Sequence, residues 1–318
     1  MRIERPLVTV FTATYNRAHT IHRTWDSLCS QTYKHFEWIV IDDESNDGTV
    51  EIMEKYAREA TFPMQYIRCP RQKNSGKNVA WNKCMKIAKG ELTIVLDSDD
   101  ACTPDAIQTF VEAWQSLGER AGEFAYVAVL CHDQHGVTRG TKFPKDRMES
   151  DHLEIHWKYR VRGDKWECYR TDVLKQYPLP ELDRRSGMPE GIILARMSKK
   201  YKVLYLNKFL RTYFNDGVGA SLVNVPDPRG NAWGKFINDS EAIWAYPHWH
   251  LRAPWEFVLL ALRLNRNIQL LRLSRSLVRR YLPTARSRVI VALFELPGRF
   301  LGAWERVFKF NASGRISL

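Results

Sequence analysis

Apolar and polar positions alternate in blocks along the first third of the chain. Leu7-Val8-Thr9-Val10-Phe11-Thr12-Ala13-Thr14 is rich in β-branched residues and closes on Tyr15-Asn16-Arg17, which predicts a buried strand and its exit loop. Residues 20–31 carry Ile21, Trp25 and Leu28 at the spacing of one helical face. A second strand, Phe36-Glu37-Trp38-Ile39-Val40-Ile41, ends in Asp42-Asp43-Glu44, and Ser45-Asn46-Asp47-Gly48-Thr49 then turns the chain into a helix through Tyr56. The cycle repeats as a strand at residues 64–67, a loop at 72–76, a helix at 78–88 and a strand at 92–96. A helix starting near Pro104 and a strand at residues 126–130 follow. Strands alternating with helices predict an α/β fold with a mainly parallel sheet and helices on both faces. In such sheets ligands bind beyond the carboxyl ends of the strands, where Thr14-Tyr15, Asp42-Asp43 and Asp97-Ser98-Asp99-Asp100 all fall.

Beyond about Asp239 this rhythm stops. Leu270, Leu273, Leu277 and Tyr281 share one helical face while Arg272, Arg275 and Arg279 share the other. Phe300, Leu301, Trp304, Val307 and Phe308 repeat an amphipathic spacing, and Pro254, Pro283 and Pro297 divide the segment into three short helices. The expected organisation is therefore an α/β domain over residues 1–240, with halves of about 1–110 and 111–240, and an amphipathic helical region over 241–318.

Charge sharpens this division. The formal net charge is +12, yet residues 249–318 hold thirteen Arg or Lys against Glu256, Glu295 and Glu305, so the remainder is nearly neutral. Apolar faces carrying Trp and Phe opposite arginines describe a helix lying in an anionic membrane surface. Packing on the catalytic domain, a dimer interface and nucleic-acid binding are the other readings, the last without any accompanying motif. His248 and His250, among Trp244, Tyr246 and Trp249, fit an aromatic patch better than a metal site, and His132 and His135 have no third ligand near them. The six cysteines have no CxxC pair or metal-ligand spacing, so reduced thiols are expected. Charges near the N-terminus argue against a signal peptide, and no apolar run is long enough to span a bilayer. The expectation is a peripheral protein on the cytoplasmic face of an inner membrane.

Three carboxylates within four residues, Asp97, Asp99 and Asp100, end the run Ile94-Val95-Leu96. Hard divalent cations take oxygen ligands, and Mg²⁺ keeps few protein carboxylates because substrate phosphates supply the rest. The same residues could instead cap the helix near Pro104.

Several stretches in order resemble the inverting family 2 glycosyltransferases with the GT-A fold, a Rossmann-like α/β architecture. They are Val8 to Arg17, Ser30-Gln31-Thr32-Tyr33, Trp38 to Thr49, Asn74-Ser75-Gly76-Lys77-Asn78-Val79-Ala80-Trp81-Asn82, Lys89-Gly90-Glu91, and Leu96-Asp97-Ser98-Asp99-Asp100 with Pro104-Asp105. The resemblance implies a nucleotide-sugar donor, with UDP-sugar expected, and Mg²⁺ or Mn²⁺ as cofactor. Asp43 matches the carboxylate that accepts the imide N–H of uracil; capping the helix after Gly48 is its alternative. Thr14 and Tyr15 match residues lining the nucleotide pocket. Asp97 and Asp99 form the DxD motif around Ser98, Asp97 near the ribose and Asp99 on the metal, while Asp100 holds a metal-bound water or caps the next helix. Lys77 stands where a cation meets the diphosphate or the sugar, and Arg17 beside a ligand-binding strand end, or both are solvated surface residues.

An inverting transfer also needs a base for the acceptor hydroxyl. Here the family's Glu-Asp pair is replaced by Pro189-Glu190 in Gly187-Met188-Pro189-Glu190-Gly191, so Glu190 is the expected base or else only a favourable first-turn acid. Asp164 and Glu167 are the alternatives, and Trp166 between them offers a flat face for a sugar. The function expected is transfer of a sugar to a saccharide acceptor, lipid-linked if the tail meets membrane, in bacterial surface polysaccharide or glycan synthesis. A nucleotide-sugar-binding membrane scaffold without turnover is the other class.

Overall fold

The computed structural model describes residues 4–69, 76–181, 189–215 and 228–304. Most of the expected loop at 72–76, Asn74 and Ser75 of the quoted motif, Gly187 and Met188 ahead of Glu190, and Val307 and Phe308 lie outside the described residues, as do the side chains of Leu301 and Trp304. Two compact units divide the chain, one of Met1–Glu181 with Ile193–Gly219 and one of Leu182–Ile192 with Ala220–Leu318.

The first unit opens with β1 (Val8–Thr14), α1 (Ile21–Cys29), β2 (Phe36–Asp42), α2 (Thr49–Glu59), β3 (Met64–Arg68), α3 (Lys77–Ile87) and β4 (Leu92–Val95). It continues with β5 (Ala101–Cys102), α4 (Ala106–Gln115), β6 (Phe124–Asp133), β7 (Arg147–Ser150), β8 (Lys165–Arg170) and α5 (Thr171–Leu174). After α6 (Gly191–Met197) the long strand β9 (Lys202–Tyr213) completes it. The strands form one nine-stranded sheet in the order β3-β2-β1-β4-β8-β6-β9-β5, with β7 also on β9. The run β3-β2-β1-β4 is parallel throughout, as short βα cycles require. From β4 onward parallel and antiparallel pairs mix: β8 runs antiparallel to β4 and β6, while β6 and β9 are parallel.

Why β1 and β2 are interior strands, each paired on both sides, follows from their composition. All of β2 and nearly all of β1 is buried, including polar Thr9, Thr12 and Glu37. A buried polar group must find partners, and these do so across strands. Thr12 Oγ1 donates to Leu96 O at 2.8 Å and accepts from Trp38 Nε1 at 3.0 Å. Thr9 Oγ1 donates to Glu37 Oε1 at 2.7 Å, and Glu37 also accepts the Lys89 backbone N–H. Gly90 is fixed by this contact: a Cβ there would lie 2.4 Å from Thr9 N, so only glycine lets the chain enter β4 alongside β1.

The second unit contains α7 (Pro228–Ala245), α8 (Trp249–Arg252), α9 (Pro254–Leu271), α10 (Arg275–Tyr281), α11 (Ala285–Leu293) and α12 (Glu295–Trp304). Helix α9 is its centre, packing against α7, α8, α11 and α12. The expected division at residue 240 falls inside α7. Arg263 of α9 makes two 2.6 Å hydrogen bonds to Asp239 of α7, a carboxylate with no solvent exposure. Gly298 lets α12 approach α9 closely, because a Cβ would meet Asn265.

The helical segment differs from the expected three helices. The face from Leu270 to Tyr281 is not continuous: Arg272 adopts φ 52°, ending α9, and Ser274 caps α10 by accepting the Leu277 N–H at 3.3 Å. Tyr281 packs edge-on against Phe236 of α7. Pro254 opens α9 and Pro283 separates α10 from α11, but Pro297 sits in the first turn of α12, where a missing N–H costs nothing.

Candidate active site

The parallel register brings three polar strand ends to one edge. Thr14 of β1 lies opposite Asp42 of β2, and Phe11 lies opposite Val95 of β4, so Tyr15, Asp43 and Asp97 follow at the same carboxyl-terminal edge. The loop after β4 is pinned from α1. Thr24 Oγ1 donates to Asp97 O and Asp100 O at 3.0 and 2.9 Å, and Thr20 Oγ1 donates to Ser98 O at 3.2 Å. Ser98 is itself buried, so its part is to hold the loop's shape through its carbonyl.

Asp42 and Asp43 take different roles. Asp42 is fully buried and accepts from Ser45 N at 2.6 Å and Tyr66 Oη at 2.8 Å. Burial and this carboxylate push the Tyr66 hydroxyl far above its ordinary pKa, so it stays a donor. Asp43 is also buried, and its Oδ2 accepts the Gly76 N–H at 2.7 Å. The first turn of α2 is served by Asp47, whose Oδ1 accepts the Thr49 N–H at 3.1 Å. Beside Asp43, Tyr15 is 37% exposed, and the buried Thr14 Oγ1 has no hydrogen-bond partner among the described residues. That orphaned hydroxyl and exposed ring at a strand end suit a ligand with both a flat face and polar edges.

The Asp97 cluster contains a residue the local pattern did not disclose. Arg211, from β9, donates through Nε to Asp100 Oδ2 at 2.6 Å and through Nη2 to Asp97 Oδ2 at 2.7 Å. Lys77 Nζ donates to Asp97 Oδ1 at 2.7 Å. Against the upward push of burial, Lys77 and Arg211 hold the Asp97 carboxyl well below the usual carboxylate range. Asp100 is fully buried, and burial raises its carboxyl, with Arg211 opposing and Asp97 and Asp99 adding to the rise. Asp100 thus faces Arg211 and neither caps α4 nor offers oxygens outward; α4 begins at Ala106, with Asp105 at its N-cap position.

Asp99 is different. Its side chain is 34% exposed, with Arg17 Nε at 3.8 Å, and burial followed by the Asp97 charge raises its pKa. An ionised form crowded by a like charge favours a cation beside it. Among the described residues no three His, Cys, Asp or Glu side chains converge into a cage. One partly exposed carboxylate is a donor set that suits Mg²⁺ or Mn²⁺ when phosphate oxygens supply the remaining ligands.

On the acceptor side, Trp166 departs from expectation. It is 2% exposed, donates through Nε1 to Val95 O at 2.6 Å and packs edge-on against Phe110. Strand alternation turns Trp166 and Cys168 into the core, so its ring is a packing element and offers no face to a sugar. Glu167 lies on the opposite face with Tyr169, and Asp164 is exposed in the turn before β8. Glu190 immediately precedes α6, in a turn where Ile192 N donates to Pro189 O at 3.2 Å, and belongs to the second unit.

A teichuronic acid biosynthesis glycosyltransferase candidate, TuaG of Bacillus subtilis (strain 168), is 33% identical over 134 residues, 42% of this chain and 50% of that protein. The UDP-Glc:alpha-D-GlcNAc-diphosphoundecaprenol beta-1,3-glucosyltransferase WfaP of Escherichia coli is 39% identical over 94 residues, 30% of this chain and 36% of that protein. The matches thus span half or less of these relatives' length. Among solved structures, S. aureus TarS 1-349 in complex with UDP-GlcNAc superposes with a TM-score of 0.61 at 20% identity, covering 89% of this chain and 78% of that one, a likeness of fold. The family model described as Glycosyl transferase family 2 matches residues 9–175, which contain every strand end of the candidate site, and the chain belongs to that family.

Proposed function

We propose that this chain transfers a sugar from a UDP-sugar to a hydroxyl of a saccharide acceptor with inversion at the anomeric carbon. The observation that carries the donor reading is the juxtaposition, on one sheet edge, of Asp43 tied to Gly76 N, the exposed Tyr15 ring, and the ionised Asp97 beside the partly exposed Asp99. Asp43 accepts the uracil imide N–H while Tyr15 lies against the base. Asp97 stays ionised through Lys77 and Arg211 and is ready to accept from a ribose hydroxyl. Arg17, near Asp99, faces the diphosphate. When bound at Asp99, Mg²⁺ or Mn²⁺ supplies positive charge against the diphosphate and the leaving UDP.

Glu190 is proposed as the base on its place in the family's sequence order. Its carboxylate takes the proton of the acceptor hydroxyl as that oxygen bonds to the anomeric carbon and the bond from that carbon to the UDP oxygen breaks. Asp164 and Glu167 are the other carboxylates proposed for the acceptor side. WfaP is named for a diphosphoundecaprenol-linked acceptor and TuaG for teichuronic acid synthesis, and a lipid-linked saccharide is the acceptor class we propose. Donor consumption, followed as release of UDP, tests the assignment. Glu190→Gln and Asp99→Asn should each lower it by on the order of a hundredfold or more; unchanged consumption in both would remove the catalytic reading.

A further inference from the structure

Seven of the large hydrophobic side chains that this protein leaves in solvent lie between residues 251 and 300, all in the second unit. Their placement is regular. On α9, Trp255 and Leu259 are one turn apart, opposite the buried Phe257, Leu260 and Ala261. On α12, Leu296 and Phe300 are one turn apart, opposite Gly298, which lies against Asn265. On α11, Leu293 stands one turn beyond exposed Val289, away from buried Ser287 and Val291. Each helix therefore buries one side against its neighbours and carries apolar side chains on the other. Leu251, Trp255, Leu293, Leu296 and Phe300 are 62–88% exposed, more than scattered surface leucines would account for.

Charge identifies the occupant. Arg275, Arg279, Arg280 and Arg288 are exposed around these helices, and Arg286 lies exposed with Nη2 3.0 Å from His250 Nδ1. Between residues 249 and 304 the acids are Glu256 and Glu295. A second copy of the chain would bring the same excess of positive charge to the contact. Nucleic acid would meet the arginines but leave leucines and a tryptophan in water. An anionic bilayer surface accepts both, with apolar side chains in the headgroup and acyl boundary and arginines among lipid phosphates. No helix among the described residues is long and apolar enough to cross a membrane, so the contact is made along the surface. We infer that α9, α11 and α12 form a docking surface for anionic lipid, centred on Trp255, Leu293 and Leu296.

This inference stands apart from the catalytic reading, and the test keeps the two apart. The full chain is floated with vesicles of phosphatidylglycerol and phosphatidylcholine, and with vesicles of phosphatidylcholine alone. The expected result is co-flotation with the anionic vesicles only, reduced about tenfold or more by Trp255→Ser with Leu293→Ser and also reduced by Arg279→Gln with Arg280→Gln. Because these side chains are exposed, each variant should keep the wild-type melting temperature and its affinity for UDP. Flotation of the Trp255→Ser, Leu293→Ser variant equal to wild type, or failure of the wild type to float, would overturn the inference. So would a wild-type dimer that the same apolar substitutions convert to monomer, which would make the surface a self-association face.

Discussion

Replacing Arg211 by methionine offers a direct measure of how the Asp97 cluster is held. The Arg211 side chain is 13% exposed and its partner Asp100 1%, so removing the guanidinium leaves a carboxylate in the interior with the Phe214 N–H, 3.4 Å away, as its remaining named partner. Breaking a buried ion pair from one side costs up to about 3–5 kcal/mol where the surviving carboxylate stays ionised, and less as pH falls and Asp100, whose carboxyl burial already pushes up to about 7, takes up a proton. Asp97 adds little to this figure, since it retains Lys77 and is partly open to water. For a domain of this size the loss corresponds to roughly a 10 °C fall in melting temperature. Urea unfolding followed by tryptophan fluorescence, run on wild type, Arg211→Met, Asp100→Asn and the double variant, gives the coupling between the two residues. The double variant should be more stable than the sum of the single losses predicts, by about 2 kcal/mol. A loss under about 1 kcal/mol for Arg211→Met, or strict additivity in the cycle, would refute the view that Arg211 compensates buried charge.

Gly90→Ala should destabilise by at least about 1–3 kcal/mol, since its Cβ would press on the Thr9 backbone nitrogen and not on a side chain able to turn away; a neutral effect in thermal denaturation would contradict the close approach of β1 to the entry of β4. His152 provides a pH prediction. Burial, and then His156, hold its pKa down to about 3, with Tyr126 Oη 3.2 Å from Nδ1. The unfolded chain takes up this proton first as pH falls below the ordinary histidine value of about 6.5, so the His152 contribution is present at neutral pH and is lost on acidification, by at most about 1.4 kcal/mol per pH unit. His152→Gln should therefore flatten the dependence of stability on pH between about 6 and 4; an unchanged slope would show that His152 titrates alike in both states.

Local pattern carried much of the first unit because each βα cycle is written in adjacent residues. The β-branched run to Thr14, the acids after Ile41 and the triplet after Leu96 end their strands on one edge, as the alternation implied. Arg211 escaped notice for the opposite reason. It sits 111 residues from Asp100 in a strand with ordinary neighbours, and the antiparallel pairing of β9 with β5, which sets Arg211 opposite Cys102, brings it there. A long strand carrying an arginine between Leu210 and Thr212 was the available signal, and it names no partner. Trp166 was misread through strand phase: an aromatic between two acids looks ligand-facing, but pairing with β6 turns it toward α4 while its flanking residues face away. The break at Arg272 lacked the glycine that usually marks a left-handed helix end, although Ser274 was a legible cap for the next helix. Glu190 rests on sequence order, since its segment departs from the family pattern at Pro189.

Calorimetric titration of UDP and CDP with Mn²⁺ into wild type and Asp43→Asn shows whether the edge bearing Asp43 and Asp99 is a uridine nucleotide site. Wild type should bind UDP in preference to CDP. In Asp43→Asn, whose side-chain oxygen can still accept from Gly76 N, UDP affinity should be lower by about 10- to 100-fold, the loss of one charged hydrogen bond. Equal affinity of wild type for UDP and CDP, or undiminished UDP binding by Asp43→Asn, would contradict a uridine site at this edge.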